Sequence, residues 1–352
     1  METLQFMDAI VNEAMNTREV PGLGIALIRD GRVSFLKSYG LRSVEPRRPL
    51  DNNTVMYGAS LTKATFAWFV MQLVDEKKLA LDQPIAAYLP KPLPEYPRYR
   101  DLANDARWKK LTFRILLNHT TGFANFRGLE PDKKLRFHRD PGTRYGYSGE
   151  GLMLAQFVIE EGLKLDVGRE MQQRIFDRFG MTRTSMTWRD DFQDNFAEGY
   201  TMEGSKYPHR RWDKAGAAGS LDTSLYDWSR FLAAVARGEG LTRQSKAEML
   251  RRTITIDSER QFPTLAEART DRWKPIGLGY AVGWGVFDTP YGQAWFKEGH
   301  DEGTANYALC VTDDCILLLS NSVRAEAIFV VLVQQLFGDV PIPAEWEGYV
   351  AE

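Results

Sequence analysis

Apolar and polar positions along the chain repeat with two different periods, which divides the sequence into three parts. Apolar residues recur at helical spacing over residues 3–16, and Pro21 ends the pattern. Two apolar runs, at 23–28 and 33–36, then flank Asp30-Gly31, a sequence typical of a β-hairpin. Strand-like runs return after about residue 275, at 279–286, 294–297, 306–311 and 315–320. An apolar helix is predicted over 325–337, with Gly338 as its C-cap.

The middle of the chain, from about residue 64 to 235, has mostly helical periodicity. Its predicted helices lie at 111–118, 150–162, 167–179 and 224–235. We therefore predict an α/β (α+β) fold, in which an antiparallel sheet flanked by the N- and C-terminal helices is interrupted by a large helical insertion. The predicted sheet domain comprises residues 1–60 and 236–352, and the predicted helical domain comprises 61–235. A pocket is expected at the seam between them.

Charge and composition narrow the range of partners. The chain of 352 residues has 45 Lys and Arg against 47 Asp and Glu, so neither nucleic acid nor a membrane is expected to bind it. No stretch of about 18 apolar residues and no basic, apolar leader is visible, which predicts a cytoplasmic protein. A periplasmic or secreted chain without its signal peptide would show the same pattern. The oligomeric state is not indicated.

The cysteines and histidines give no sign of a disulfide framework or a metal site. Cys310 and Cys315 flank a predicted turn, and we expect both to be free, packed thiols, because two cysteines are few for a chain of this length. Four scattered histidines, without an H-E-x-x-H or C-x-x-C pattern, predict no metal. The glycine-rich residues 277–283 precede a strand-like run rather than a helix, so no dinucleotide site and no cofactor is predicted.

The strongest candidate chemistry is an S-x-x-K pattern at the start of an apolar helix. Ser60 and Lys63 are three residues apart and would share one face of this helix. Its N-terminus favours negative charge beside the serine. An apolar environment would lower the pKa of the lysine, as a general base requires. The pattern also fits a helix cap followed by a solvated lysine.

Two further segments offer partners for the serine. Tyr147 lies in the turn-rich segment 141–150, where it would act as a phenolate or as a proton relay beside Lys63. The segment 297–304 follows a predicted strand, and a backbone N–H near Gly303 would complete an oxyanion hole with the N–H of Ser60.

Together, in this order, these segments resemble the serine β-lactamase and penicillin-binding protein superfamily. The resemblance is to the class C β-lactamase-like branch, which includes family VIII esterases, D-amino-acid peptidases and acyltransferases. Ser60 to Lys63 match the S-x-x-K motif, Tyr147 to Gly149 match the Y-x-N loop, and His300 to Gly303 are placed at the K-T-G or H-x-G motif. Residues 116–122, 179–185 and 217–221 resemble the segments that connect these motifs.

The resemblance implies a covalent acyl-serine mechanism. Ser60 would attack a carbonyl carbon while Lys63 and Tyr147 handle its proton. The backbone N–H groups of Ser60 and Gly303 would bind the oxyanion, and water would release the acyl group. His300 is expected to contact the substrate, because it replaces the motif's lysine in esterase and peptidase members of the branch.

Two departures from the family pattern bear on the substrate, which is a small-molecule ester or amide. Gly149 replaces an asparagine that contacts the substrate amide in the lactamases, and Glu302 replaces a glycine beside the strand. We therefore expect a carboxylesterase acting on small esters. The alternatives are a β-lactamase, D-amino-acid peptidase or acyltransferase, and a non-catalytic binding relative. Arg324 is either an anchor for a substrate carboxylate or a solvated arginine at a helix end.

Overall fold

The centre of the molecule is an antiparallel sheet built from both ends of the chain. The computed structural model describes residues 2–349, with side chains described from residue 5 onward, so residues 1 and 350–352 of the predicted sheet domain lie outside it. In that range the strands are β1 (Gly22–Arg29), β2 (Arg32–Ser43), β3 (Arg48–Pro49), β4 (Met56–Ala59), β5 (Gly199–Tyr200), β6 (Lys206–Tyr207), β7 (Leu221–Thr223), β8 (Ile254–Thr255), β9 (Gly279–Tyr280), β10 (Gly285–Thr289), β11 (Gly292–Asp301), β12 (Thr304–Val311) and β13 (Asp314–Ser320). Nine of these form one sheet in the order β3-β2-β1-β13-β12-β11-β10-β9-β8, while β4 pairs with β7 and β5 with β6.

Helices cover both faces of this sheet. They are α1 (Glu2–Thr17), α2 (Leu61–Asp75), α3 (Phe113–Leu117), α4 (Gly149–Leu163), α5 (Val167–Met171), α6 (Leu225–Arg237), α7 (Arg243–Leu250), α8 (Glu326–Leu336) and α9 (Ala344–Glu347). A π-helical turn continues α5 through residue 177, and short 3₁₀ turns occupy much of the loop from 85 to 110. Within the described range, no helix is both long and apolar enough to cross a membrane.

Alternation along the central strands explains the two layers. Leu23 and Ile25 of β1 are buried in one apolar core with α1 and α8. Ala26 and Ile28 of the same strand are buried in a second core with α2 and α6. Successive strand side chains point to opposite faces, so a strand apolar on both faces, as β1 is, must be covered on both. The predicted α+β architecture is therefore present.

One predicted strand is wrong. The run 279–286 forms two short strands, β9 and β10, joined by a turn in which the Ala281 N–H donates to the Trp284 carbonyl oxygen at 2.8 Å. Gly283 in that turn has φ +81°, a conformation that glycine adopts readily. A Cβ on Gly283 would lie 2.3 Å from the Cβ of Ala67 in α2. Gly283 therefore permits this turn to lie in close contact with the serine helix.

We expect Gly283→Ala to lower the free energy of unfolding by about 1–3 kcal/mol, because the added methyl group overpacks the contact with α2. Urea denaturation of both proteins measures the difference. Gly128→Ala is the matched control, since a Cβ there meets nothing within 4 Å. A Gly283→Ala midpoint equal to that of the control would contradict the close contact.

The expectation of free cysteines is also wrong. Cys310 and Cys315 face each other across the β12–β13 hairpin and form a disulfide. Their Cα atoms are 4.0 Å apart, and both side chains are buried in the core beneath α2 and α6. The small number of cysteines was a poor guide, because directly opposed positions in an antiparallel pair bring two side chains into contact without a wider disulfide framework.

Candidate active site

Ser60 lies at the turn from β4 into α2, on a cavity of about 1060 Å³ between the sheet and the helices. Ala59 immediately before it has φ +46°, which is uncommon for a residue with a side chain. The turn is held in place because the Thr62 hydroxyl donates to the Ala59 carbonyl oxygen and accepts from the Leu221 N–H at 3.0 Å. Ser60 is therefore presented at the N-terminus of a helix that is buried along most of its length.

Lys63 lies one turn further along α2 and contacts the serine directly. Its Nζ is 2.8 Å from the Ser60 Oγ and 2.5 Å from the carbonyl oxygen of Ala218. Burial, with a contribution from the positive charge of Lys297, holds the pKa of the Lys63 amine well below its usual range. A neutral amine can donate one N–H to Ala218 and keep its lone pair for the proton of Ser60. The contact between Ser60 and Lys63 predicted from the sequence is present.

Tyr147 lies in the same cavity, between Lys63 and Lys297. The Lys63 Nζ is 4.9 Å from the centroid of the Tyr147 ring, and the Lys297 Nζ is 3.4 Å from the Tyr147 hydroxyl oxygen. Burial and the charge of Glu298 raise the pKa of the Tyr147 phenol well above 10, while the Ser60 hydroxyl opposes the shift. Tyr147 is therefore a phenol at neutral pH, which favours the relay role over the phenolate role.

His119 supports the Tyr147 ring. The two ring centroids are 4.2 Å apart at an interplanar angle of 30°. The backbone N–H of Ser148 donates to the Nδ1 of His119 at 3.1 Å, which places the ring proton of a neutral His119 on Nε2. Burial, together with the charges of Lys63 and Lys297, holds the pKa of His119 well below 6.5, so the ring is neutral. His119 positions Tyr147, a role that the sequence analysis did not assign to it.

Lys297 and Glu298 are the site residues that sequence reasoning missed. The Lys297 Nζ forms an ion pair with the Glu298 Oε1 at 2.7 Å, and both side chains are buried. The Gln261 Nε2 donates to the same Glu298 oxygen at 2.9 Å. Lys297, Glu298 and Gly299 have the spacing of the K-T-G motif, with a glutamate in the central position. A Cβ on Gly299 would lie 2.6 Å from the Gly58 carbonyl oxygen, so this glycine permits β11 to approach the serine turn.

On strand β11, the N–H of His300 rather than that of Gly303 is turned toward the serine side. Glu302 and Gly303 form the two-residue turn between β11 and β12, next to the pair Asp301–Thr304. Hydrogen-bonded pairs alternate from that turn, so the N–H of His300 points away from β12 to the other edge of β11. Strand β10 pairs with β11 only as far as Phe296. Beyond that residue, the same edge of β11 is open beside β4 and Ser60.

The other predicted residues of this hairpin lie further from the serine. A Cβ on Gly303 would meet the Tyr207 Cβ at 2.8 Å, and the Gly303 carbonyl accepts from the Tyr200 N–H, so this glycine packs against the β5–β6 ribbon. Glu302 is exposed at the cavity rim. The His300 side chain also lines the cavity, where its Nδ1 is 2.6 Å from the Glu326 Oε1.

Arg324 and Gly149 are not in direct contact with the serine. The Arg324 Nη1 forms an ion pair with the Glu19 Oε2 at 2.7 Å, and its Nε donates to the Met202 carbonyl oxygen, outside the cavity lining. The prediction of a carboxylate anchor is therefore not supported. Gly149 begins α4, and its N–H donates to the Asn125 Oδ1 at 2.9 Å. Its influence on the cavity passes through the neighbouring Phe126.

Metal ligation finds no support among residues 2–349, where no cluster of three or more His, Cys, Asp or Glu side chains could hold an ion. Two acidic side chains that line the cavity instead form ion pairs with arginines. Glu150 forms an ion pair with Arg127 at 2.9 Å, and Asp301 forms one with Arg210 at 2.5 Å. The site is built from a serine, two buried amines and a phenol.

The chain is similar to several known proteins. The esterase EstB of Burkholderia gladioli is 31% identical over 160 residues, which are 45% of this chain and 36% of that protein. The matched parts span 36% to 49% of the length of the first curated relatives. Among solved structures, the D-alanine carboxypeptidase AmpC of Burkholderia cenocepacia has a TM-score of 0.73 at 18% identity. The match covers 98% of this chain and 96% of the carboxypeptidase chain. A class C beta-lactamase has a TM-score of 0.74 at 16% identity, and the match covers 95% of this chain and 96% of the beta-lactamase chain.

These structural likenesses lie at identities that show the fold alone, and they confirm the predicted β-lactamase/transpeptidase-like architecture. The family model described as Beta-lactamase matches residues 7–347, nearly the whole chain. The chain therefore belongs to the Beta-lactamase family.

Proposed function

We propose that this protein is a serine hydrolase that forms an acyl-serine intermediate and acts as a carboxylesterase on small, uncharged esters. The observation that carries the proposal is the 2.8 Å contact between the Ser60 Oγ and a buried Lys63 amine whose pKa is held well below its usual range. A neutral lysine beside a serine hydroxyl is an activated nucleophile and base pair.

The proposed reaction begins when the Ser60 oxygen attacks the ester carbonyl carbon and its proton passes to the Lys63 Nζ. The carbonyl electron pair moves onto oxygen, where the N–H groups of Ser60 and His300 stabilise it. When the intermediate collapses, the bond to the alcohol oxygen breaks, and that oxygen takes a proton through Tyr147 and Lys63. Water then attacks the acyl-serine by the reverse proton route and releases the acid.

Glu298 supports esters over substrates that carry a carboxylate. Lys297 is a buried cation beside the site, and an unpaired ammonium there would attract a substrate carboxylate. In this chain the Glu298 carboxylate neutralises Lys297 from 2.7 Å. A substrate carboxylate would find the charge of Lys297 already paired with Glu298. It would lose its hydrogen bonds to water on binding and gain no partner in the protein. The similarity to EstB, which is named an esterase, also supports an ester substrate.

The substrate ranking tests the proposal. We expect kcat/KM for p-nitrophenyl acetate or butyrate to exceed that for nitrocefin and for D-alanyl peptides by a wide margin. β-Lactamase, D-amino-acid peptidase and acyltransferase activities remain the second candidates, because relatives of this fold include a D-alanine carboxypeptidase and class C beta-lactamases. Faster turnover of nitrocefin or D-alanyl peptides than of esters would contradict the carboxylesterase proposal.

We expect Glu298→Gln to raise nitrocefin turnover relative to ester turnover by about tenfold, because the substitution keeps the side-chain volume and leaves the buried Lys297 amine without its carboxylate partner, which the nitrocefin carboxylate can replace. The measurement is the ratio of the two kcat/KM values. Glu302→Gln is the matched control, since Glu302 carries the same charge at the exposed rim, where water screens it. An unchanged ratio in Glu298→Gln, or an equal change in both variants, would contradict the role of Glu298.

A further inference from the structure

Two exposed aromatic side chains, Phe126 and Phe262, line the cavity of Ser60. Their exposed fractions are 41% and 49%, which is unusual for phenylalanine in a chain with an extensive core. The thioether side chain of Met153, on α4, lines the same cavity. We call these three residues the apolar wall.

Gly149 creates the space that Phe126 occupies. A Cβ on Gly149 would lie 2.5 Å from two atoms of the Phe126 ring, closer than side chains approach in proteins. The ring therefore fills the region into which a side chain at position 149 would project. The glycine in the Y-x-N loop thus replaces a polar amide with an apolar surface.

The Phe126 backbone is fixed to the first turn of α4 on both sides. The N–H of Gly149 donates to the Asn125 Oδ1, and the N–H of Glu150 donates to the Asn125 carbonyl oxygen, each at 2.9 Å. On the other side of Phe126, the N–H and side chain of Arg127 both bond to the Glu150 carboxylate. An aromatic ring on a backbone restrained in this way is pre-organised for a ligand.

Phe262 is fixed against the catalytic residues. Its ring packs edge-on against Tyr147, with 5.6 Å between centroids. The preceding residue, Gln261, is held by its side-chain bond to Glu298 and by its N–H bond to the Trp346 carbonyl oxygen at 2.8 Å. Phe262 therefore places one side chain of the apolar wall directly against the phenol of Tyr147.

We infer that the apolar wall binds an uncharged hydrocarbon group of the ester, and that Gly149 and Phe126 together set this specificity. The inference rests on the proposed esterase function and names its substrate class. Acyl and alcohol groups share the required chemistry, so the experiment uses one series for each.

The first experiment measures kcat/KM of the wild-type protein for p-nitrophenyl acetate, butyrate and hexanoate. Each methylene group that leaves water on binding contributes up to about fourfold. A parallel series of acetate esters of lengthening alcohols, followed by acid release, tests the alcohol side. We expect kcat/KM to rise at least about tenfold over one of the two series, and that series identifies the group on the wall. No rise in either series, with acetate still turned over, would overturn the inference and leave the esterase proposal intact.

The variants locate the effect. We expect Phe126→Ala to reduce the long-to-short ratio about tenfold, because the ring removes most of the buried methylene surface from water. Leu129→Ala is the matched control, since Leu129 belongs to the same loop, is 72% exposed and does not line the cavity. A ratio unchanged by Phe126→Ala, or changed equally by the control, would overturn the inference.

The pair of Gly149 and Phe126 is tested by a double-mutant cycle. Gly149→Ala should displace the ring and reduce the long-to-short ratio, as Phe126→Ala does. In the Phe126→Ala background the added methyl group meets no ring, so Gly149→Ala should have little further effect on the ratio. Independent, multiplicative effects of the two substitutions would contradict the proposed coupling.

Discussion

Ser60→Ala is expected to remove ester turnover, with kcat falling by about 10⁴-fold or more. The reason is chemical, because within the described residues no other hydroxyl is hydrogen-bonded to the Lys63 amine, and alanine cannot form the acyl intermediate. The substitution should leave the fold intact, since the Ser60 hydroxyl bonds to side chains of the site, Lys63 and Tyr147, and to no backbone group within the described residues. Initial rates with p-nitrophenyl butyrate, beside circular dichroism of both proteins, measure the effect.

Ser205→Ala is the matched control for this result. Ser205 is exposed and does not line the cavity, and its backbone carbonyl rather than its hydroxyl bonds to Thr201. The control should keep wild-type turnover. Substantial turnover by folded Ser60→Ala protein would show that the nucleophile lies elsewhere.

Lys63→Ala is expected to lower kcat by about 10²- to 10⁴-fold, the usual contribution of a general base. Lys63→Arg should be similarly impaired, because a guanidinium keeps its proton at all pH values used in the assay. The two variants together separate a proton acceptor from a simple positive charge. Lys78→Ala, three residues beyond the end of α2 and exposed, is the control and should behave as wild type.

The pH dependence of the wild-type protein follows from the same lysine. A base works in its deprotonated form, so kcat/KM should rise with pH while the Lys63 amine loses its proton. Because burial and Lys297 hold this pKa well below 10.5, the rise should level off well below pH 10.5. A profile that still rises at the ordinary pKa of a lysine, or Lys63→Arg activity near wild type, would contradict the role of Lys63 as base.

The serine part of the site could be predicted from the sequence because its geometry is local. Ser60 and Lys63 lie on one helix, where a spacing of three residues fixes their contact. Tyr147 was predicted from its turn-rich loop together with the resemblance to the Y-x-N motif, and the structure places its ring 4.9 Å from the Lys63 amine. None of these contacts depends on the register of a distant strand.

The strand side of the site could not be predicted in the same way. Strand β11 continues to Asp301, beyond the predicted end at residue 297, and its hairpin turn takes only Glu302 and Gly303. Which N–H faces the serine depends on this register. The predicted strand ended too early, so the donor was predicted near Gly303, whereas the structure turns the N–H of His300 toward the serine side. The K-x-G spacing at Lys297 was the available signal.

The effect of Gly149 on the cavity could not be predicted from the sequence either. The sequence shows a missing asparagine, but only packing shows that the Phe126 ring fills the space. The disulfide between Cys310 and Cys315 is similar, because it depends on their being opposed in one hairpin. Contacts between distant segments decide both features, and periodicity alone carries no information about them.

The central claim is that Ser60 is a nucleophile activated by Lys63, and intact-mass analysis after treatment with a fluorophosphonate tests it most directly. We predict one adduct per chain, located on Ser60 by peptide mapping, and none on Ser60→Ala. Lys63→Ala should react far more slowly than the wild-type protein, and Ser205→Ala should react at the wild-type rate. A folded protein that forms no adduct, or forms it at another residue, would contradict the account.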